Sequence, residues 1–228
     1  MALPVAPMAL PAAADDNGGQ STMHHVVDTH VRGKALSVVY TNDPVSVESS
    51  IQTMEQFLAE DKYRVAGFDL EYTIGRAEHD QKVAVTQLCV QHDVLVYHFH
   101  LATRPCERFS RFINSSDYSF TMVDTTNDLK AFKVSDLKCP NLVNIQHHYK
   151  VWGSDKSKLN SLVDLASAII DPYYAKMKEE SNKDKNAWHG VCRKRLDEQH
   201  VKYAAMDAYT SYEMYRWIVD MRNCLLPD

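Results

Sequence analysis

Between Val65 and Phe99 the chain passes through three apolar, β-type segments with short connections. Val65-Ala66-Gly67-Phe68-Asp69-Leu70-Glu71 is the first, Lys82 to Val90 the second and Val94 to Phe99 the third, with Gln91-His92-Asp93 as a turn. Parallel neighbours need a crossover of a dozen or more residues, so connections this short favour antiparallel neighbours. The pattern then alternates. A helix around Cys106 to Ile113 precedes a strand at Phe120-Thr121-Met122-Val123, a helix from about Asn127 to Val134 and a strand over Asn141–Ile145. Leu159 to Ile170 and Gln199 to Arg222 have helical spacing. A meander followed by alternating β and α segments and terminal helices implies an α/β domain on a mixed sheet of about five to six strands, flanked by helices.

Upstream, His25–Asp28 and Ala35–Tyr40 read as a hairpin across Arg32-Gly33-Lys34. Val45 to Glu60 follows as an amphipathic helix, with Val47, Ile51, Met54, Phe57 and Leu58 on its apolar face. Residues 1–22, rich in Ala and Pro and closing on Asp-Asn-Gly-Gly-Gln-Ser, read as a disordered tail. Residues 23–228 read as one folded domain, a size that suits the length. The opening residues carry no Lys or Arg, which argues against a secretory signal or a transit peptide. No run of about 18 apolar residues is present to cross a membrane. Five cysteines, odd in number, widely spaced and without a CxxC pair, read as free thiols in a reducing, intracellular setting, the nucleus or cytoplasm.

Chemistry concentrates in three places. Asp69 and Glu71 end an apolar strand, and residues two apart on a strand share a face. Two carboxylates on one buried face repel each other and lose hydration, a conflict that a divalent cation with a preference for oxygen ligands removes. An exposed strand end with solvated acids fits the same residues. Tyr203 and Asp207 stand four apart, on one helix face, among small alanines that let the face approach a sheet closely. An ordinary amphipathic helix also fits them. Asp128 lies in a first helical turn after Thr125-Thr126-Asn127, where the helix dipole alone favours an acid.

Together, Phe68-Asp69-Leu70-Glu71, Asn127-Asp128-Leu129 and Tyr203-Ala204-Ala205-Met206-Asp207 resemble the three motifs of the DEDDy 3′–5′ exonucleases, and within that family the Werner-syndrome-type exonuclease domain with its plant-like members. Lys82 to Val90, Leu159-Asn160-Ser161-Leu162-Val163 and Asn186-Ala187-Trp188 support the resemblance, which covers roughly Val65 to Ile218. It implies a ribonuclease-H-like fold and hydrolysis of DNA or RNA from the 3′ end to nucleoside 5′-monophosphates. It also implies two divalent ions, Mg²⁺ or Mn²⁺, held by Asp69, Glu71, Asp128 and Asp207. By motif position, Tyr203 orients or helps deprotonate the attacking water. The histidine branch of the family is a poorer match, because Lys202 stands where it has its histidine.

The net charge of −5, from 25 basic and 30 acidic residues, excludes bulk attraction to a polyanion but not a local basic groove. Residues 183–202 supply such a run, in which Arg193, Lys194, Arg195 and Lys202 are candidate phosphate contacts; a solvated charged loop is the other reading. Leu70 and Tyr72 adjoin the acids and are candidates to pack against a terminal base or sugar, with core packing equally open to Leu70. Two positions depart from the family pattern. Met122-Val123-Asp124 replaces its common glycine-hydrophobic-glycine turn before the second motif, and Tyr72 replaces a frequent tryptophan. The ligand set stays intact. A catalytically weakened relative, binding nucleic acid or a protein partner, is the alternative these departures suggest.

Overall fold

The structure is a computed structural model that describes residues 19–31, 33–73, 81–148, 151–152, 158–159, 161–176 and 194–225. A seven-stranded mixed sheet forms its centre, in the order β1-β2-β5-β4-β3-β6-β7. The strands are β1 (Thr22–Asp28), β2 (Ala35–Thr41), β3 (Val65–Tyr72), β4 (Val83–Val90), β5 (Asp93–Tyr97), β6 (Ser119–Met122) and β7 (Leu142–Asn144). The expected meander is present: β3 pairs antiparallel with β4, and β4 with β5. On one flank β6 adds parallel to β3 and β7 parallel to β6. On the other, the N-terminal hairpin joins through parallel pairing of β2 with β5. That seating makes seven strands where about five to six were expected. A short ladder, β8 (Val151–Trp152) with β9 (Lys158–Leu159), stands apart from the sheet.

Helices cover both faces. One layer holds α1 (Pro44–Glu60), α2 (Glu107–Ile113) and α3 (Thr126–Val134). Asp43 caps α1 by accepting from the Val45 and Ser46 amides, and Pro44 supplies a first-turn φ with no amide to satisfy. Val47, Ile51, Met54 and Leu58 then bury against the sheet, with Phe57 half-buried beside them. The opposite layer holds α5 (Leu162–Ile169) and α6 (Glu198–Leu225); the single turn α4 (Ile145–His148) follows β7 directly. Helix α5 begins at Leu162 rather than at Leu159, because the Ser161 side chain accepts from the Asp164 amide and sets the start there. Leu159 instead belongs to β9. At the other boundary, the Ser21 amide donates to Asn42 at 2.8 Å and β1 starts at Thr22, inside the expected tail; residues 1–18 of that tail lie outside the described residues. Among the described residues no helix is long and apolar enough to cross a membrane, and Cys89, Cys106, Cys139 and Cys224 are free.

Two packing details fix the ends of β3 and α3 relative to α6. Phe68, next to Asp69, meets Phe132 of α3 with ring centroids 5.7 Å apart and Phe120 of β6 at 5.8 Å. Phe132 follows Asp128 by one helical turn, so this contact sets how far α3 stands from the end of β3. On the other face, Gly67 lets α6 lie directly on the strand. A Cβ there would stand 2.0 Å from the Ala208 carbonyl oxygen and 2.7 Å from the Tyr212 amide. Both obstacles are backbone, so a methyl group displaces the helix itself. Gly67→Ala is expected to cost about 3 kcal/mol, read as a melting temperature lower by roughly 6–12 °C. A melt within about 1 °C of the parent protein would contradict this packing.

Candidate active site

Three segments far apart in sequence supply four carboxylates to one region. Asp69 and Glu71 lie on β3, on the face covered by α6, as the alternation of a strand requires. Asp128 comes from the first turn of α3 and Asp207 from the middle of α6, directly before the residue that rests on Gly67. Asp128 is 4% exposed and Asp207 5%, while Asp69 and Glu71 are half-buried. An acid serving only the helix dipole stays in water. Asp128 does not.

Electrostatics shows how near these groups stand to one another. Burial pushes Asp69 up to about 7, against stabilisation by the Leu70 amide. Burial and then the Asp69 charge push Asp128 up to about 8. Glu71 rises well above the usual carboxylate range through burial and the charges of Asp69, Asp207 and Asp128. Asp207 rises likewise through burial and Asp69, opposed by a hydrogen bond from Tyr203. The Tyr203 phenol in turn is pushed up, first by the charge of Asp207 and then by burial. Each of the four acids has its charged form disfavoured. Such a cluster is stable only when protonated or when cations compensate it.

The donor set is all carboxylate oxygen, the chemistry of a hard divalent cation such as Mg²⁺ or Mn²⁺, so these residues fit the ions that the sequence implies. Among the described residues no three His, Cys, Asp or Glu side chains converge as a finished metal cage. Two of the four acids are instead engaged by tyrosines. The Tyr203 hydroxyl bonds to Asp207, one helical turn away. The Tyr72 hydroxyl donates to Asp128 Oδ1, so this candidate platform for a base or sugar has a carboxylate partner within the site.

Residues 44–221 match a family model described as 3′–5′ exonuclease. The chain belongs to the 3′–5′ exonuclease family. Its ribonuclease-H-like fold is shared with the Nibbler EXO domain of Aedes aegypti (TM-score 0.59, 14% identity, covering 83% of this chain and 90% of that one). It is shared also with the catalytic core of RRP6 from Trypanosoma brucei (TM-score 0.59, 10% identity, 94% and 65% covered). A third is Escherichia coli RNase D, described as an exoribonuclease involved in structured RNA processing (TM-score 0.51, 16% identity, 78% and 44% covered). No curated protein matches the sequence.

The remaining expected contacts divide. Leu70 is 5% exposed and packs in the α1–α3 layer, on the opposite side of β3 from Asp69 and Glu71, so the structure gives it a core position. Lys202 is exposed immediately before Tyr203, and Lys194 is exposed ahead of α6. The Arg195 guanidinium donates to the Gly19 carbonyl at 3.2 Å. Arg193 and the Asn186-Ala187-Trp188 stretch lie outside the described residues.

The altered turn before the second motif of this exonuclease-family chain is accommodated by its backbone. Asp124 adopts φ 57, the left-handed region where glycine is at ease and Asp among the better-tolerated side chains. Its side chain is exposed, while Thr125 is buried and accepts from the Asn144 amide group at 3.4 Å. Asp124→Gly should therefore keep stability within about 1 kcal/mol, whereas the β-branched Asp124→Val should lower it by about 2 kcal/mol in denaturant titrations. Equal stability of the Val and Gly variants would contradict the turn.

The raised carboxyls also fix the sign of a pH effect. Asp69 and Asp128 hold their protons at about 7 and 8 when folded, against about 3.9 for an unfolded aspartate. The folded chain thus binds more protons, and the stability this contributes below about pH 4 is lost as pH rises through 7 and 8. In chelator the melting temperature should fall between about pH 5 and 8.5, and Asp207→Asn should flatten that fall and melt a few degrees higher near pH 8. Identical pH profiles for the two proteins would contradict the cluster.

Proposed function

We propose that the protein hydrolyses phosphodiester bonds of DNA or RNA from the 3′ end, releasing nucleoside 5′-monophosphates. In this reading Asp69, Glu71, Asp128 and Asp207 hold two Mg²⁺ or Mn²⁺ ions. The observation that carries it is the cluster of four carboxylates, Asp128 and Asp207 buried and Asp69 and Glu71 half-buried, with Tyr203 bonded to one of them. Two bound divalent ions supply what the chain lacks, a water acidified to near-neutral pKa and a charge to stabilise the leaving oxygen. The protein's own groups do the positioning. The phenol of Tyr203, raised by the Asp207 charge and by burial, keeps its proton at neutral pH. Its hydroxyl, bonded to Asp207, is placed to orient or help deprotonate the attacking water. A tyrosine one turn before the last aspartate also supports placement in the DEDDy branch.

The exposed Lys202 and Lys194, together with Arg195 and Arg193, are proposed to meet backbone phosphates, a contact that tolerates any base sequence and weakens with salt. RNA is the first substrate to try, on the fold shared with the exoribonuclease of E. coli. The weakened, binding-only reading draws on the departures from the family pattern at Met122-Val123-Asp124 and Tyr72.

The test is a gel assay with 5′-labelled single strands and recessed duplexes of RNA and DNA, in Mg²⁺, Mn²⁺ or chelator. We expect a metal-dependent ladder shortening from the 3′ end, abolished in Asp69→Asn and reduced about tenfold in Tyr203→Phe, the loss of one hydrogen bond. A ladder that survives in Asp69→Asn contradicts the site. No ladder, with metal still raising the melting temperature, supports the binding-only reading.

A further inference from the structure

We propose that Tyr72 is a positioning residue for the second-motif carboxylate: its hydroxyl holds Asp128 through Oδ1 and leaves the second oxygen to face a divalent ion. The inference rests on Asp128 being a metal ligand, as proposed above.

The geometry begins in the strand. Glu71 pairs with Val85, but Tyr72 pairs with Val83, so the β3–β4 register shifts between these two residues. Tyr72 is the last residue of β3, and its ring packs with the cluster of the α1–α3 layer that contains Phe68, Ala131 and Phe132. Asp128 enters from that layer, in the first turn of α3. The tyrosine thus spans from the strand that carries Asp69 and Glu71 to the helix that carries Asp128, and its hydroxyl closes the span on Asp128 Oδ1.

The local chemistry gives this bond a purpose. Thr125, at the start of α3, makes no side-chain cap, and the turn ahead of it runs through the left-handed Asp124. The entry of α3 therefore lacks one common fastening. A buried carboxylate can rotate about its own bonds, and a hydroxyl bound to one oxygen fixes the plane of the other. Hydrogen-bonding partners of metal-ligating carboxylates act in this way, and their loss typically costs about 10–100-fold in metal affinity or activity. Phenylalanine keeps the ring and removes only the hydroxyl, so the packing against the apolar cluster of the α1–α3 layer survives.

The experiment titrates Mn²⁺ into the full chain by electron paramagnetic resonance and follows hydrolysis over the same metal range. For Tyr72→Phe we expect Mn²⁺ affinity to fall at least about tenfold. The half-saturating metal for hydrolysis should rise by the same factor, and the rate at saturating metal should return close to that of the parent. Recovery by excess metal marks positioning, because a misfolded or mispacked site is not restored this way. Far-ultraviolet circular dichroism and a melt in chelator check the fold. Unchanged or tighter Mn²⁺ binding by Tyr72→Phe overturns the proposal; tighter binding would mean that the tyrosine competes with metal for Asp128. Asp128→Asn in the same titration separates the two levels of failure. If it loses Mn²⁺ while Tyr72→Phe does not, only the role of Tyr72 falls. If both bind as the parent does, the metal site itself is misassigned.

Discussion

The contact of α6 with β3 at Gly67 is the constraint on which the site depends. A strand and a helix that carries side chains normally stand well apart, yet here the Ala208 carbonyl and the Tyr212 amide occupy the space where a Cβ of residue 67 would lie. Small residues on the helix, Ala204, Ala205 and Ala208, allow the same approach from their side, and all are fully buried. Because Asp207 directly precedes Ala208, and Asp69 lies two residues beyond Gly67, this close seat sets one carboxylate against the other. The aromatic contact of Phe68 with Phe132 does the corresponding work for α3 and Asp128 on the opposite face. The strand between them is the shared reference.

Such a seat creates an electrostatic conflict that packing alone does not resolve. Four acids with raised proton affinities are held by apolar contacts that would be satisfied equally well by neutral residues. The two tyrosines relieve part of it by donating hydrogen bonds to Asp128 and Asp207. In the proposed two-ion site the remaining repulsion would be released on binding cations, since ligands that repel each other without metal gain most when metal arrives. Stability and the proposed function would thus pull in opposite directions at this site, as is common where charge is concentrated for chemistry.

Much of this was legible in the sequence because it is local. The alternation along Val65–Glu71 placed Asp69 and Glu71 on one face, and the i, i+4 spacing paired Tyr203 with Asp207. What escaped depends on segments meeting across the fold. The parallel pairing of β2 with β5 has no local signature, so the hairpin was recognised but its place at the edge of the sheet was not. Nothing in the sequence around Gly67 announces the helix lying on it, and only that helix shows why no side chain is tolerated. Tyr72 looked like a stacking platform because a strand-end tyrosine beside acids is compatible with that, and the register shift that accompanies its contact with Asp128 is invisible without the partner strand. Asp124 showed the opposite case: a departure from the family's glycine pattern that left the backbone in the glycine-like conformation.

The central claim is that the four carboxylates form one two-ion site. Crystals grown with Mn²⁺ and a nucleoside 5′-monophosphate, measured at the manganese absorption edge, test it most directly. Two anomalous peaks bounded by Asp69, Glu71, Asp128 and Asp207 are expected, about 3.5–4 Å apart as in two-metal sites generally. Well-ordered carboxylates with no peak between them, or manganese bound only elsewhere on the molecule, would contradict it.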